Sequence, residues 1–213
     1  MCYNWESILM NSLSNKALNN KGRIDMLRLR PYKISDAKTI ITWCKDETTF
    51  RKWTSDRYES FPITADDMNR KYIDNNGDCN EPDNFYPMTA FDENGIVGHL
   101  IMRFADAERT TLRLGFVIVD DTKRGMGYGK EMISLALKYA FEIFKADKVT
   151  LGAFENNLPA YYCYKAAGFK DVETEEIICE LFGEKWKILE LALTKEDYLY
   201  DKICGKKRSK DIS

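Results

Sequence analysis

Three glycines at alternate positions, Gly125, Gly127 and Gly129, separate an apolar run ending at Val119 from a long amphipathic stretch that begins at Tyr128, and Arg124 and Lys130 flank them. This spacing suits an anion. The first N–H groups of a helix have no intrahelical partner, and the helix dipole favours negative charge there. Glycine lets the backbone approach a phosphate with no Cβ in the way, and flanking cations add charge-assisted hydrogen bonds. Taken alone, the loop reads equally as a strand–helix connection with convenient glycines. Two familiar phosphate loops do not fit it. The G-x-x-x-x-G-K-[ST] pattern is absent, and Gly125-x-Gly127-x-Gly129 is not G-x-G-x-x-G. His99 is the only histidine and no two of the six cysteines form a C-x-x-C pair. A His/Cys zinc site is therefore not expected, and a Ser-His-Asp or Cys-His hydrolase would have to be built on His99 without a G-x-S-x-G elbow.

Two blocks carry a resemblance. Arg124-x-x-Gly127-x-Gly129 resembles the R/Q-x-x-G-x-G/A signature of the GNAT superfamily of N-acetyltransferases, in its usual place between a fourth strand and a long helix. Asn157-Leu-Pro-Ala160-Tyr-Tyr-Cys-Tyr164-Lys-Ala-Ala-Gly168-Phe169 is similar to that family's N-x-x-A-x-x-x-Y-x-x-x-G-F segment after the fifth strand. Leu27 to Pro31, followed by Asp36-Ala37, is like the family's opening strand and helix. The resemblance spans about residues 26 to 193 and is strongest over 112 to 169.

The resemblance implies an enzyme that moves an acetyl group from acetyl-CoA to a primary amine within a ternary complex, on a single α/β domain with a mixed, mostly antiparallel central sheet flanked by helices. Val117, Ile118 and Val119 would offer backbone groups to the pantetheine arm, in a gap where the fourth and fifth strands splay. Arg124, Gly125, Met126, Gly127, Tyr128, Gly129 and Lys130 would hold the pyrophosphate, and Asn157 would touch the cosubstrate. Tyr164 would protonate the departing thiolate, because a phenol is neutral at pH 7 and can act as general acid. Val119 or a neighbouring N–H would polarise the thioester carbonyl. Packing among Tyr161, Tyr162 and Phe169 is the competing reading of Tyr164, and an N-cap that of Asn157. The general base departs from the family. Some members carry Glu where this chain has Arg113, and others where it has Gly152. Glu155, Asp120, His99 and water remain as substitutes. The acceptor, a protein N-terminus or a small-molecule amine, is left open. Phe50 to Tyr58 is aromatic and charged enough to line its pocket, with Asp56 as a possible anchor for a cationic amine. A non-catalytic acyl-CoA-binding module and a different nucleotide- or phosphate-binding protein are the rival readings.

Strand and helix patterns must position these residues. Met26–Arg30 alternates as a strand, Ser35 and Asp36 open a helix through Trp43, and Thr64 precedes a second helical segment from about Asp67 to Ile73. Phe85–Phe91 and Ile96–Phe104 flank Glu93-Asn94-Gly95 as a hairpin. Leu112–Val119 is a third strand, 128–144 a helix with one broad apolar face, Lys148–Phe154 a strand, and Pro159–Ala167 a short helix stopped by Gly168. Phe169–Leu181 and Lys185–Leu193 form a closing hairpin, and Lys195–Ile203 a last short helix. The domain is placed at 26–204, between an extension, 1–25, with a weak helical pattern around Trp5 to Leu13, and a basic tail, 205–213.

A chain of 213 residues with 44% hydrophobic and 31% charged residues has the composition of one soluble globular domain. A net charge of −2 offers no global attraction to nucleic acid or an anionic membrane. No apolar run reaches the roughly 20 residues of a membrane span, and residues 1–23 lack a secretory signal pattern. Dispersed cysteines then imply reduced thiols in the cytoplasm, in a monomer or homodimer without a metal.

Overall fold

The computed structural model describes residues 26–200 and 202, so the extension 1–25, the basic tail and the end of the last helix lie outside the described residues. Within them the alternating residues form eight strands: β1 (Arg28–Pro31), β2 (Tyr86–Asp92), β3 (Gly95–Phe104), β4 (Thr111–Val119), β5 (Lys148–Phe154), β6 (Lys170–Asp171), β7 (Ile177–Leu181) and β8 (Glu184–Thr194). They make one sheet in the order β1-β2-β3-β4-β5-β8-β6, with β7 also paired to β8. Every pairing is antiparallel except β4 with β5.

Helical segments cover both faces. On one side lie α1 (Ala37–Ile40), α2 (Glu47–Thr54) and α3 (Ala65–Asn69), and on the other α4 (Tyr128–Lys138) and α5 (Leu158–Ala166). A helix α6 occupies 195–200. The α4 face buries Met132, Ile133, Ala136 and Leu137 against Leu100, Met102, Leu112 and Leu114. The opposite face packs Trp43, Phe50, Trp53, Met68 and Tyr72 against Ile101 and Ile118.

The two cores reveal a change of phase in β4. Leu112 and Leu114 belong to the α4 side, but so do Val117 and Val119, while Phe116 and Ile118 join the α1–α3 side. A strand alternates strictly by two, so one extra residue sits between. Phe116 has φ +48°, and the β3–β4 register shifts opposite this point. This bulge bends β4 away from its parallel neighbour.

The structure departs from the sequence patterns at three places. Asp36 holds the N-cap position of α1 but makes no side-chain cap bond to it. It ends a 3₁₀ turn (Ile34–Asp36) and accepts from the Lys33 N–H at 2.9 Å. Phe50–Trp53, for which the sequence patterns supply no element, is part of α2, which starts because Asp46 accepts from the Thr49 N–H at 2.7 Å. Phe169–Leu181 is not one strand. Only Lys170–Asp171 and Ile177–Leu181 pair, and the acidic stretch 172–176 between them lies outside the sheet. The 128–144 helix ends in a π turn (Tyr139–Ile143), and α3 likewise runs into one (Arg70–Asp74).

Asp36 is the polar link between β1, the α1 segment and β2. Arg30 donates to both its oxygens at 2.7 and 2.9 Å, and the Thr89 hydroxyl at 2.8 Å. Burial raises its pKa, but these donors outweigh burial and hold it below the usual carboxylate value. The depressed folded-state value means that Asp36 stabilises the fold above the unfolded carboxylate pKa of about 3.9, and that this stability is lost as pH falls through the folded value. Asp36→Ala, which leaves Arg30 and Thr89 without their acceptor, is expected to lower unfolding stability by about 2–4 kcal/mol at pH 7. Urea unfolding between pH 3 and 7 checks both statements, because the deficit of the variant should shrink below pH 4.

Candidate active site

β4 and β5 pair only over Thr111–Arg113 and Lys148–Thr150. Beyond these residues β5 continues pairing with β8 up to Phe154, and β4 with β3 up to Val119. The facing edges of 114–119 and 151–154 therefore carry no ladder between them. The gap opens into a cleft of about 480 Å³ lined by Trp53, Phe116, Val117, Gly152, Asn157 and Tyr164, among others. The expected splay is present. The Trp53 indole donates to the Phe116 carbonyl at 2.8 Å, so α2 satisfies one backbone acceptor of the bulge and closes one wall. Lys52 donates to the Asn156 carbonyl at 2.9 Å across the same opening.

At the upper end of the gap the glycine loop leads into α4. Gly125 and Gly127 have φ of +76° and +92°, and Gly127 is the N-cap of the helix. The first-turn N–H groups of Tyr128, Gly129 and Lys130 then have no intrahelical acceptor, a geometry that suits an anion. Gly129 also allows close packing, since a Cβ there would lie 3.2 Å from the Cys163 sulfur on α5. The loop is tied down from below. Tyr128 turns its ring into the core and donates to Asp92 at 3.0 Å, and Lys123 reaches the same carboxylate at 3.4 Å. Tyr128 can thus contribute its backbone to an anion but not its hydroxyl.

Arg124 is exposed beside the loop. Its guanidinium donates to the carbonyls of Val119 at 3.2 Å and Trp43 at 3.0 Å. It braces the loop between β4 and the segment before α2, and Lys130, the other flanking cation, is exposed as well. Ile118 is buried in the α1–α3 core, so only its backbone bears on the gap, whereas Val117 and Val119 are partly exposed. Met126 is exposed on the loop. Asn157 stands at the N-cap position of α5 but makes no side-chain cap bond, and it lines the cleft instead.

Tyr164 combines the two readings of its sequence position. Its ring is packed in the α4-side core near Phe169, yet it lines the cleft, and no side chain among the described residues hydrogen-bonds its hydroxyl. Burial, with a smaller push from Cys163, raises its pKa above the ordinary phenol value. The group stays protonated, as a proton donor must.

The candidate bases separate clearly. His99 is fully buried between β3 and the helices, with the Tyr72 hydroxyl 3.0 Å from Nε2, and burial pushes its pKa down to about 3. Asp120 accepts from the Thr122 N–H and hydroxyl at 2.9 and 2.7 Å and caps a turn. Glu155 is exposed and does not line the cleft. Asp56, the expected anchor for a cationic amine, is exposed outside the cleft as well, although Lys52, Trp53, Ser55 and Arg57 around it do line the wall.

One site residue was not found from sequence. Glu190 on β8 lies opposite Gly152, and both its oxygens accept from Arg113 at 2.7 Å. A Cβ on Gly152 would lie 3.0 Å from Glu190 Oε1 and 3.1 Å from Arg113 Nη2. The missing side chain at 152 is the space this ion pair occupies. The signal was a glycine inside an apolar strand, which marks a close approach, but its partner is fixed only by the β5–β8 register. Among the described residues no cluster of His, Cys, Asp and Glu could hold a metal.

Known proteins agree with this geometry. A family model for the acetyltransferase (GNAT) domain matches residues 26–170. The spermine/spermidine N(1)-acetyltransferase of Bacillus subtilis (strain 168) is 33% identical over 52 residues, a segment that is 24% of this chain and 34% of that protein. The match thus spans about a third of the length of that curated relative. The spermidine N-acetyltransferase from Vibrio cholerae, in complex with CoA and spermine, superimposes with a TM-score of 0.67 at 20% identity, covering 81% of this chain and 98% of that chain. A mutant form of the Vibrio cholerae enzyme gives a TM-score of 0.65 at 18% identity, over 81% of this chain and 96% of that one. At such identities the structures establish the shared fold. The family match over 26–170, on a sheet that parts between β4 and β5 beside a glycine-led helix N-terminus, shows that this chain belongs to the acetyltransferase (GNAT) domain family.

Proposed function

We propose that the protein is an acetyl-CoA-dependent N-acetyltransferase acting on a primary amine. The observation that carries this reading is the unpaired stretch of β4 and β5, bordered by Tyr164, with β4 leading through the glycine loop into the N-terminus of α4. The cradle of 127–130, with Lys130 beside it, suits the pyrophosphate, and the free edge of Val117–Val119 suits the amide-rich pantetheine arm. Gly125 and Met126 complete the loop, and Arg124 positions it. Asn157 faces the cosubstrate from α5.

In this reading a neutral amine attacks the thioester carbonyl. The C–N bond forms, the C–S bond breaks with its electron pair on sulfur, and the Tyr164 phenol gives its proton to that sulfur. The proton lost from nitrogen returns through water to the phenolate. The balance is amine plus acetyl-CoA to amide plus CoA. Water is assigned the base role because His99 is buried and neutral, Asp120 is occupied as a cap, and Glu155 lies outside the cleft. The named relatives act on spermidine and spermine, which makes a primary amine the acceptor class to test. The four described cysteines are free thiols and no described helix is long and apolar enough to cross a membrane, which fits a cytoplasmic enzyme. The division into an extension (1–25), a domain (26–204) and a tail (205–213) belongs to this proposal.

Tyr164→Phe keeps the packed ring and removes the proton. It is expected to lower kcat about 10²-fold or more while the Kd for acetyl-CoA changes less than threefold. CoA-thiol release with an amine panel, alongside calorimetric titration, reads both; unchanged kcat sinks the role of Tyr164. Gly127→Val forces a β-branched residue to φ near +92°, which costs on the order of 1–3 kcal/mol locally. It is expected to weaken acetyl-CoA binding about tenfold or more. Affinity equal to that of the unaltered protein would show that the loop is not the cradle.

A further inference from the structure

The acceptor side of the cleft has an asymmetry of charge. Three carboxylates line it, and each is already engaged. Asp78 is paired with Lys71. Glu81 accepts from the Asn84 amide at 3.1 Å. Asp106 accepts from the N–H groups of Thr110 and Thr111 at 2.7 and 2.8 Å and from the Thr110 hydroxyl at 3.0 Å, fixing the β3–β4 turn. The cations differ. Lys52 is used on Asn156 and Arg113 on Glu190, but Arg103, half-buried in the cleft wall, has no hydrogen-bond or ion-pair partner among the described residues.

Arg103 stands directly across from Arg113 in the β3–β4 ladder, so the two guanidinium groups rise from the same face of the sheet. Like charges directly opposite are destabilising. Glu190 neutralises only one of them. Arg57 converges on the same place. Burial raises the Cys79 thiol pKa; Arg103 and Arg57 lie close enough to work against that rise, and Asp78 and Glu81 close enough to add to it. Arg57 itself has only a 3.6 Å contact with the exposed Asp56. Of the charged groups lining this wall, Arg103 is the half-buried one without a partner, and it offers an anion a site.

Resting on the acetyltransferase reading, we infer that the acceptor is a primary amine that also carries an anionic group, a carboxylate or a phosphate ester, and that Arg103 is its specificity-determining partner. The guanidinium fork matches either group bidentately. Val117 at the reaction gap lies four positions along β4 from Arg113, the neighbour of Arg103, across the bulge at Phe116, so at most about 13 Å of strand lies between them. An acceptor of dipeptide size, with its amine in the gap and its anion on Arg103, fits that span.

The test compares matched acceptors of dipeptide size with the full chain and acetyl-CoA: glycyl-glutamate amide against glycyl-glutamine amide, glycyl-phosphoserine amide against glycyl-serine amide, and spermidine alone. The expected result is a kcat/KM at least about tenfold higher for the anionic member of one pair, the size of one charge-assisted hydrogen bond. The favoured pair names the anion. Arg103→Gln should abolish the preference and Arg103→Lys should retain part of it, with the Kd for acetyl-CoA unchanged in both as the check on folding. No preference in either pair, or a preference that survives in Arg103→Gln, overturns the inference. Binding of the same amines to the CoA-loaded protein separates this from failure of the enzyme reading. Arg103-dependent binding of the anionic amine without turnover sustains the anion site and refutes catalysis. Tighter binding of spermidine, indifferent to Arg103, refutes the site and leaves catalysis intact.

Discussion

Two parallel strands that pair for three residues and then separate leave backbone donors and acceptors without a ladder, and buried backbone groups of this kind must find partners. The rest of the site follows from how this chain meets that constraint. An extra residue at Phe116 turns β4, so its apolar residues change face midway and both helical layers still receive a continuous core. The Trp53 indole takes one exposed carbonyl, and Arg124 takes another at Val119. What remains open is a strip of backbone between a helix N-terminus and an aromatic wall. A linear, amide-containing ligand with an anionic end is the natural complement of such a strip, which is why the fold-level match and the chemistry agree.

The polar groups around the gap divide into braces and reagents. Asp92 receives Tyr128 and Lys123 and fixes the loop against the β2–β3 hairpin. Asp36 fixes the first segment to the sheet. The Arg113–Glu190 pair fills the space over Gly152 and stiffens the outer end of the cleft. Each has its hydrogen-bonding capacity largely used. Tyr164 and Arg103 do not, and both line the cleft. In a well-satisfied structure the unsatisfied groups are the informative ones.

Much of this was legible in the sequence. The apolar run of β4, the alternate glycines and the amphipathic α4 follow local rules, and they located the helix N-terminus proposed as the anion cradle and the strand that leads to it. The Asn157–Phe169 block placed Tyr164 correctly on a short helix. What stayed hidden depended on long-range register. The role of Arg124 as a brace requires Trp43, 81 positions away, and that of Glu190 requires a partner 77 positions away. Phe116 carries no sequence mark of a bulge, since a bulky residue at positive φ is set by tertiary packing and not by propensity. The α2 helix is absent from the sequence patterns read above, although Asp46 three residues before Thr49 is a capping signal that was there to use.

The central claim is that the gap between β4 and β5 is a binding site for acetyl-CoA. The most direct measurement is the melting temperature with acetyl-CoA, and with ATP and NAD as controls. At about 100 times its dissociation constant a ligand adds roughly 2.7 kcal/mol, or about 5–10 °C for a domain of this size. The account predicts a rise of that order with acetyl-CoA and little with the controls. No rise at millimolar acetyl-CoA, or an equal rise with ATP, would contradict it.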